Sequence, residues 1–365
     1  MSKAGTTLAA VAATLLLSLA ASGHAETNPR DLFRSVDHIP TVDAIQSDGF
    51  VEIGGIRQWV SIRGRHAGAP ILLFIHGGPG FTSLPSSYYY MRDWQEYFTV
   101  VQWDQRGAGK TYAANDPEKV RPTMTIDRMV ADAGELAAYL RKTYGRRKIV
   151  LVGHSWGSIV GVKLARQHPD WFYAYVGTGQ FVAFQPNEAM GYDATLAAAR
   201  KDSNAEAVKD LERIAPFPDT AHPERNIANL GTERRWLAYY GGYYWRNNVG
   251  HEGELNPLSP DYSDEELKVR DQAQGFSIQA LWTELGKVDL RDDTTFREPV
   301  FFIQGRHDTG TNATLLGQWY ATVRAPRKKL IWFEDSAHMT FQEEPGRFLV
   351  TLVNDVLPLT RAGTR

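Results

Sequence analysis

The run Lys148-Ile149-Val150-Leu151-Val152-Gly153-His154-Ser155-Trp156-Gly157-Ser158 constrains the fold more than any other stretch of the chain. It reads as a buried strand that stops at a Gly-x-Ser-x-Gly turn. An apolar helix, Ile159-Val160-Gly161-Val162-Lys163-Leu164-Ala165, follows at once. Gly153 and Gly157 flank Ser155 because so tight a strand-to-helix turn leaves no room for side chains. The turn lifts the hydroxyl out of the sheet, toward the positive end of the new helix. A bare Gly-x-Ser-x-Gly is also met as a serine in a glycine-rich loop. The strand before, the helix after and two partners downstream favour an activated nucleophile.

Other apolar runs extend the pattern. Gly49 to Ile62 alternates apolar and polar residues around Gly54-Gly55, which predicts a hairpin of half-buried strands. Pro70 to Ile75 and Phe98 to Trp103 are continuous apolar runs, as parallel core strands should be. A helix carrying Met129, Val130, Leu136 and Leu140 leads into the elbow strand, and Trp171 to Gly179 supplies another strand. Asn28 to Ile45 is polar, contains proline and reads as irregular. From about Gln180 to Glu298 the chain is helical, aromatic and broken by prolines, with no core-strand signal until Pro299-Val300-Phe301-Phe302-Ile303-Gln304. A last strand, Lys329 to Phe333, precedes a closing helix from Pro345 to Val356. Such alternation means an α/β fold, a mostly parallel sheet covered by helices on both faces. The expected domains are a core over 26–179 and 299–365, with a helical cap over 180–298 on the carboxyl side of the strands.

The first 25 residues read as an address. Met1-Ser2-Lys3 is a short positive start, Leu8 to Ala21 is apolar, and small residues stand at Gly23 and Ala25. That is the three-part pattern of a signal peptide cleaved after Ala25, and it predicts a periplasmic or secreted protein. The apolar run is short for a bilayer span, so no stable membrane association is expected after cleavage. With no cysteine in the chain, an exported protein of this sequence has no disulfides and no cysteine-linked lipid, and must hold together on its core. A net charge of -2 argues against nucleic acid as a partner. The residues leave the oligomeric state open.

A serine hydroxyl attacks only when a base takes its proton and a third group fixes that base. On an elbow scaffold the order along the chain is Ser, acid, His, each in a loop after a core strand. Gly305-Arg306-His307-Asp308 supplies Asp308 as the acid, and Glu334-Asp335-Ser336-Ala337-His338 supplies His338 as the base. Asp335 is the rival acid, more plausible as a turn former, and His307 reads as structural. The developing oxyanion needs donors. One is the backbone N–H of Trp156, and the other is expected from His76-Gly77-Gly78-Pro79-Gly80, with Gly78 chosen because glycine permits close approach. His76 reads as a structural hydrogen-bonder.

His76 to Gly80, Trp103-Asp104-Gln105-Arg106-Gly107-Ala108-Gly109-Lys110, the elbow, and the Gly305–Asp308 and Ser336–His338 segments together resemble proline iminopeptidase and its relatives. Those are serine aminopeptidases of the α/β-hydrolase fold. The resemblance covers roughly residues 50–178 and 299–350. It implies a cap domain, hydrolysis without a cofactor, a small-molecule or short-peptide substrate, and Gly78 with Trp156 as the oxyanion hole. Asp104 and Arg106 would brace the loops beneath.

The family is expected to hold the substrate's amine with cap glutamates, one in a Trp-x-x-Trp-Glu segment. Here Trp236-Leu237-Ala238-Tyr239-Tyr240 puts Tyr240 in that place. Tyr240, Glu233 and Glu284 are therefore the substrate-binding candidates, against a solvated helix surface for the two glutamates. Trp236, Tyr239, Tyr240, Tyr243 and Tyr244 are expected on one helical face, either packing the cap or roofing an apolar pocket. An ester or lactone substrate remains the alternative to an amide. No ligand-spaced histidine cluster, phosphate loop or dinucleotide glycine motif appears, so no metal or cofactor is expected. With Ser and not Asp at the elbow, the haloalkane and epoxide branches do not fit.

Overall fold

The computed structural model describes residues 28–246 and 251–361. The signal segment expected over residues 1–25 lies outside them. The chain forms one sheet of eight strands: β1 (Ile45–Ile53), β2 (Ile56–Gly64), β3 (Ile71–Ile75), β4 (Thr99–Trp103), β5 (Ile149–His154), β6 (Phe172–Thr178), β7 (Val300–Gly305) and β8 (Lys328–Phe333). Their order across the sheet is β1-β2-β4-β3-β5-β6-β7-β8. β1 and β2 pair antiparallel around the expected turn at Gly54-Gly55, and β2 pairs antiparallel with β4. From β4 onward every pairing is parallel.

The parallel strands read as unbroken apolar runs because both of their faces are covered. Successive side chains of a strand point to opposite faces. Leu73, Ile75 and Leu151 accordingly join one core cluster, with Met129, Leu136 and Ile159. Leu72, Phe74, Val150 and Val152 join the other, with Trp94, Phe348 and Leu352. Ahead of the sheet, α1 (Pro29–Asp37) is a departure from the irregular segment expected there. Asn28 caps it, its side chain accepting from Arg30 N–H at 3.0 Å, and Pro29 sits in the first turn where a missing N–H costs nothing. The helices on the first face of the sheet are α2 (Ile126–Thr143) and α3 (Trp156–Gln167).

Between β6 and β7 lie the cap helices α4 (Phe184–Lys201), α5 (Ala205–Arg213), α6 (Glu224–Tyr239) and α7 (Asp264–Leu285). They have a small core of their own around Tyr192, Leu211, Phe217 and Trp236. The two ends of this insertion meet at its base, where Phe184 N–H donates to Val288 O and Leu290 N–H to Val182 O, both at 2.8 Å. α8 (Ala313–Thr322) and α9 (Pro345–Thr351) return the chain to the core. No helix among the described residues is long and apolar enough to cross a membrane.

Candidate active site

Ser155 stands between the end of β5 and the start of α3 with φ 55° and ψ -123°. A non-glycine residue in that region carries strain of order 1–3 kcal/mol, which the surroundings must hold in place. Here Ser155 N–H donates to Thr178 O at 3.0 Å, and Ser158 Oγ donates to Ser155 O at 2.6 Å. The flanking glycines are required by contact. A Cβ on Gly157 would lie 2.2 Å from Ile75 O, and one on Gly153 would lie 2.6 Å from Gly157 O.

The loop after β7 carries Asp308 and the loop after β8 carries His338. His338 Nδ1 lies 2.9 Å from Asp308 Oδ2. The same oxygen accepts from Gln304 Nε2 and Thr311 Oγ1, each at 2.7 Å, while Thr311 N–H donates to Oδ1 at 2.7 Å. The acid is thus fixed by four donors, and its proton-accepting face toward His338 is set. Asp335 is elsewhere, paired with Arg246 at 3.5 Å on the surface, and His307 stacks on Trp245 at 3.5 Å. Ser155 and His338 line one cavity of about 270 Å³, together with Gly78, Tyr243, Tyr244 and Met339. A second imidazole, His154, lies 4.9 Å from the His338 ring. Burial holds it well below its ordinary value, so it stays neutral and offers no competing charge.

Gly78 has φ +115°, and a Cβ there would stand 2.6 Å from the amide nitrogens of Gly80 and Phe81. Trp156 opens α3, where the first N–H groups have no partner within the helix. These two amides are therefore carried by separate segments. Gln105 joins the segments. Its Nε2 donates to His76 O at 2.9 Å, and its Oε1 accepts the Trp156 indole N–H at 3.0 Å. His76 in turn accepts Gln105 N–H at Nε2, 3.3 Å away, and burial lowers its pKa to about 4. The motif's neighbours brace the floor. Asp104 accepts from Thr82 Oγ1, Lys110 N–H and the Tyr262 hydroxyl, and Arg106 pairs with Asp132 at 2.7 Å.

The cap candidates separate. Tyr240, just past the end of α6, packs against the cap core with its hydroxyl 3.4 Å from Asp202, and does not line the cavity at Ser155. Glu284 is also remote. Its Oε2 accepts Ile126 N–H at 2.5 Å, capping α2 and tying the cap to the core. Glu233 is fully buried, ion-paired with Arg234, and burial pushes its carboxyl up to about 7. The expected aromatic face is broken, because Gly241 at φ +80° ends the helix. Trp236 stays in the cap core while Tyr243 swings in, its ring 5.6 Å from that of His338. Gln105, Thr311 and Glu188, which pairs with Arg234 at 2.7 Å, carry no role that the sequence alone assigns. Gln105 and Glu188 act through partners distant in the chain and Thr311 through Asp308, three residues before it; only Gln105 stands in a recognisable motif.

A strand-turn-helix serine beside a histidine–aspartate pair, under a helical cap, defines a class. Residues 70–345 match the family model described as alpha/beta hydrolase fold, and the chain belongs to that family. Among individual proteins it is 31% identical over 320 residues to the "Probable aminopeptidase YbaC" of Bacillus subtilis (strain 168), covering 86% of this chain and 97% of that one. The proline iminopeptidase of Neisseria gonorrhoeae is 23% identical over 333 residues, 85% of this chain and 96% of its own. The crystal structure of a proline iminopeptidase-related protein from Thermus thermophilus shares the fold, with a TM-score of 0.61 at 20% identity over 87% of this chain and 99% of that one. The chain is a proline iminopeptidase-like alpha/beta hydrolase, and its enzyme class is that of the serine hydrolases.

Proposed function

We propose that this enzyme cleaves through an acyl-enzyme on Ser155 and releases N-terminal residues from short peptides. The observation that carries the reading is the Asp308–His338 contact at 2.9 Å, in the wall of the cavity that Ser155 also lines. Asp308 holds the His338 Nδ1 proton, which leaves Nε2 unprotonated to take the proton of the Ser155 hydroxyl. Oγ then bonds to the substrate carbonyl carbon, and the carbonyl oxygen takes the charge between the N–H groups of Gly78 and Trp156. As the C–N bond breaks, His338 returns the proton to the leaving amine. Water, deprotonated by the same imidazole, then bonds to the acyl carbon, and the proton passes to Ser155 Oγ as the ester C–O bond breaks. No cofactor enters these steps.

The amide assignment rests on the likeness to the aminopeptidase relatives. One observation favours an ester or lactone instead: Glu188 and Glu233, two buried cap carboxylates, are both paired with Arg234, which offsets the charge a substrate ammonium would meet. Turnover of aminoacyl-naphthylamides against short acyl esters of the same leaving-group series decides between them. Cleavage of free-amine amides supports the aminopeptidase reading, and cleavage of esters alone supports the second. Export with removal of residues 1–25 is part of the same proposal, supported by the charged start, the apolar run and the small residues Gly23 and Ala25. The N-terminal residue of the protein recovered from the periplasm tests it, and Glu26 is expected.

A further inference from the structure

Among the described residues that line the cavity at Ser155, Glu252 is the only aspartate, glutamate, lysine or arginine. The rest of the wall is glycine, aromatic rings, Met339, two imidazoles, Ser83 and Gln274. His154 stays neutral. The Tyr244 hydroxyl does too, because burial first and then the Glu252 charge raise its pKa. Apart from the proton that His338 carries during turnover, a substrate in this space of about 270 Å³ meets one formal charge, and its sign is negative.

The carboxylate is held in that wall by the protein itself. Glu252 opens a short helix of the cap, Glu252–Leu255. Its Oε1 accepts from Gln342 Nε2 and its Oε2 from Arg270 Nη2, both at 3.1 Å. Gln342, four residues past His338, also accepts the Tyr244 hydroxyl at 2.5 Å. The network therefore fixes the carboxylate without any ligand. Arg270 is its counter-ion but stands behind the wall. The guanidinium lies over the Phe81 ring at 4.0 Å, its side chain is 7% exposed, and it does not line the cavity. Coulomb energy falls with distance, so for a group inside the cavity the nearer, negative charge dominates.

We infer that Glu252 is a specificity-determining residue that excludes an anionic group beside the scissile bond, so that the enzyme takes substrates that are neutral there. This deepens the proposed function and rests on Ser155 as the nucleophile. Selection of this kind works by penalty: a carboxylate entering the cavity gives up water and meets a like charge. For a peptide, the residue after the cleaved bond must then continue into another amide and not end in a free carboxylate. Tripeptides, longer chains and amide-blocked dipeptides are favoured over free dipeptides. For an ester, the same wall disfavours leaving groups that carry a carboxylate.

The test compares the acetyl esters of 4-hydroxybenzamide and 4-hydroxybenzoate in the wild type and in Glu252→Gln. The variant keeps the shape of the side chain and an oxygen for Arg270, and removes the charge. Leaving-group reactivity is the same for both proteins, so the change in the ratio of the two kcat/KM values reads the wall alone. The ratio of neutral to anionic ester should fall on the order of tenfold in Glu252→Gln. A merely structural role would lower both esters together, and an unchanged ratio overturns the inference. Binding of benzamide and of benzoate to Ser155→Ala protein, followed by NMR titration, needs neither turnover nor a change at Glu252. It decides the matter where neither ester is turned over. Tighter binding of benzamide supports the exclusion even if the nucleophile reading fails, and equal binding of the two, or tighter binding of benzoate, overturns it.

Discussion

Gln105 accepts the indole N–H of Trp156 at 3.0 Å while donating to the carbonyl of His76 at 2.9 Å. One amide side chain thus couples the elbow to the glycine loop, and with them the two N–H groups proposed to meet the oxyanion. Buried at 1% exposure, it has no water to replace either bond. Gln105→Leu should lower kcat by roughly 10- to 100-fold, less than the roughly 10²- to 10³-fold for removing an oxyanion donor outright, with KM little changed. Gln105→Glu keeps the acceptor for Trp156 but loses the donor to His76, and should fall between. Steady-state kinetics with one ester substrate reads both, and equal loss in KM and kcat would point to a general loss of structure.

Asp308 gives a sharper effect. Asp308→Asn retains the shape of the loop but removes the acceptor that fixes the His338 proton on Nδ1. By comparison with the same change in other serine hydrolases, kcat should drop on the order of 10⁴-fold. Thermal unfolding run alongside should show a folded protein, since Gln304 Nε2 keeps its bond to Thr311 O and the Thr311 hydroxyl can turn to accept from the new amide.

Much of this site is legible in the chain because local rules dominate there. The apolar runs of β3, β5 and β7 read only as buried strands, and Ser155, Asp308 and His338 each follow a strand in the expected order. What the sequence hides is set by distant partners. α1 has a proline start and few apolar residues, so its helical character depends on its cap. Tyr243 and Tyr244 continue the Trp236 face by spacing alone, and Gly241 breaks that continuity. Glu284 differs from any surface glutamate only because Ile126 N–H, 158 positions away, meets it.

That contact makes a prediction about stability with little bearing on catalysis. Glu284 is a carboxylate at the N-terminus of α2, bonded to a free helix N–H, an arrangement worth roughly 1–2 kcal/mol. Glu284→Ala should lower unfolding stability by about that amount in a urea titration. Its kcat/KM should stay near the wild-type value, because Glu284 lines a hollow with Lys163 and Lys287 and not the cavity at Ser155.

Glu343 links stability to pH. Its carboxyl accepts Ala337 N–H at 2.7 Å and Trp245 N–H at 2.5 Å, clamping the His338 loop to the segment that carries Tyr243. Burial pushes its pKa up to about 7 from an ordinary 4.5. The folded state therefore binds this proton more tightly than the unfolded chain does. Its stabilising contribution is full below about 4.5 and is lost as pH rises through about 7. Glu343→Gln cannot titrate, so the stability difference between wild type and variant should shift against the wild type between about pH 5 and pH 8. Urea midpoints measured across that range check it, and a difference that stays constant, or moves the other way, contradicts it.

The central claim is that Ser155 becomes acylated. Intact-mass analysis of the protein after exposure to a fluorophosphonate, followed by peptide mapping, tests it most directly. The account predicts one adduct per chain on Ser155, loss of turnover in step with labelling, and no adduct on Ser155→Ala. An unlabelled Ser155 in a protein that still turns over substrate, or a Ser155→Ala variant with undiminished kcat, would contradict it.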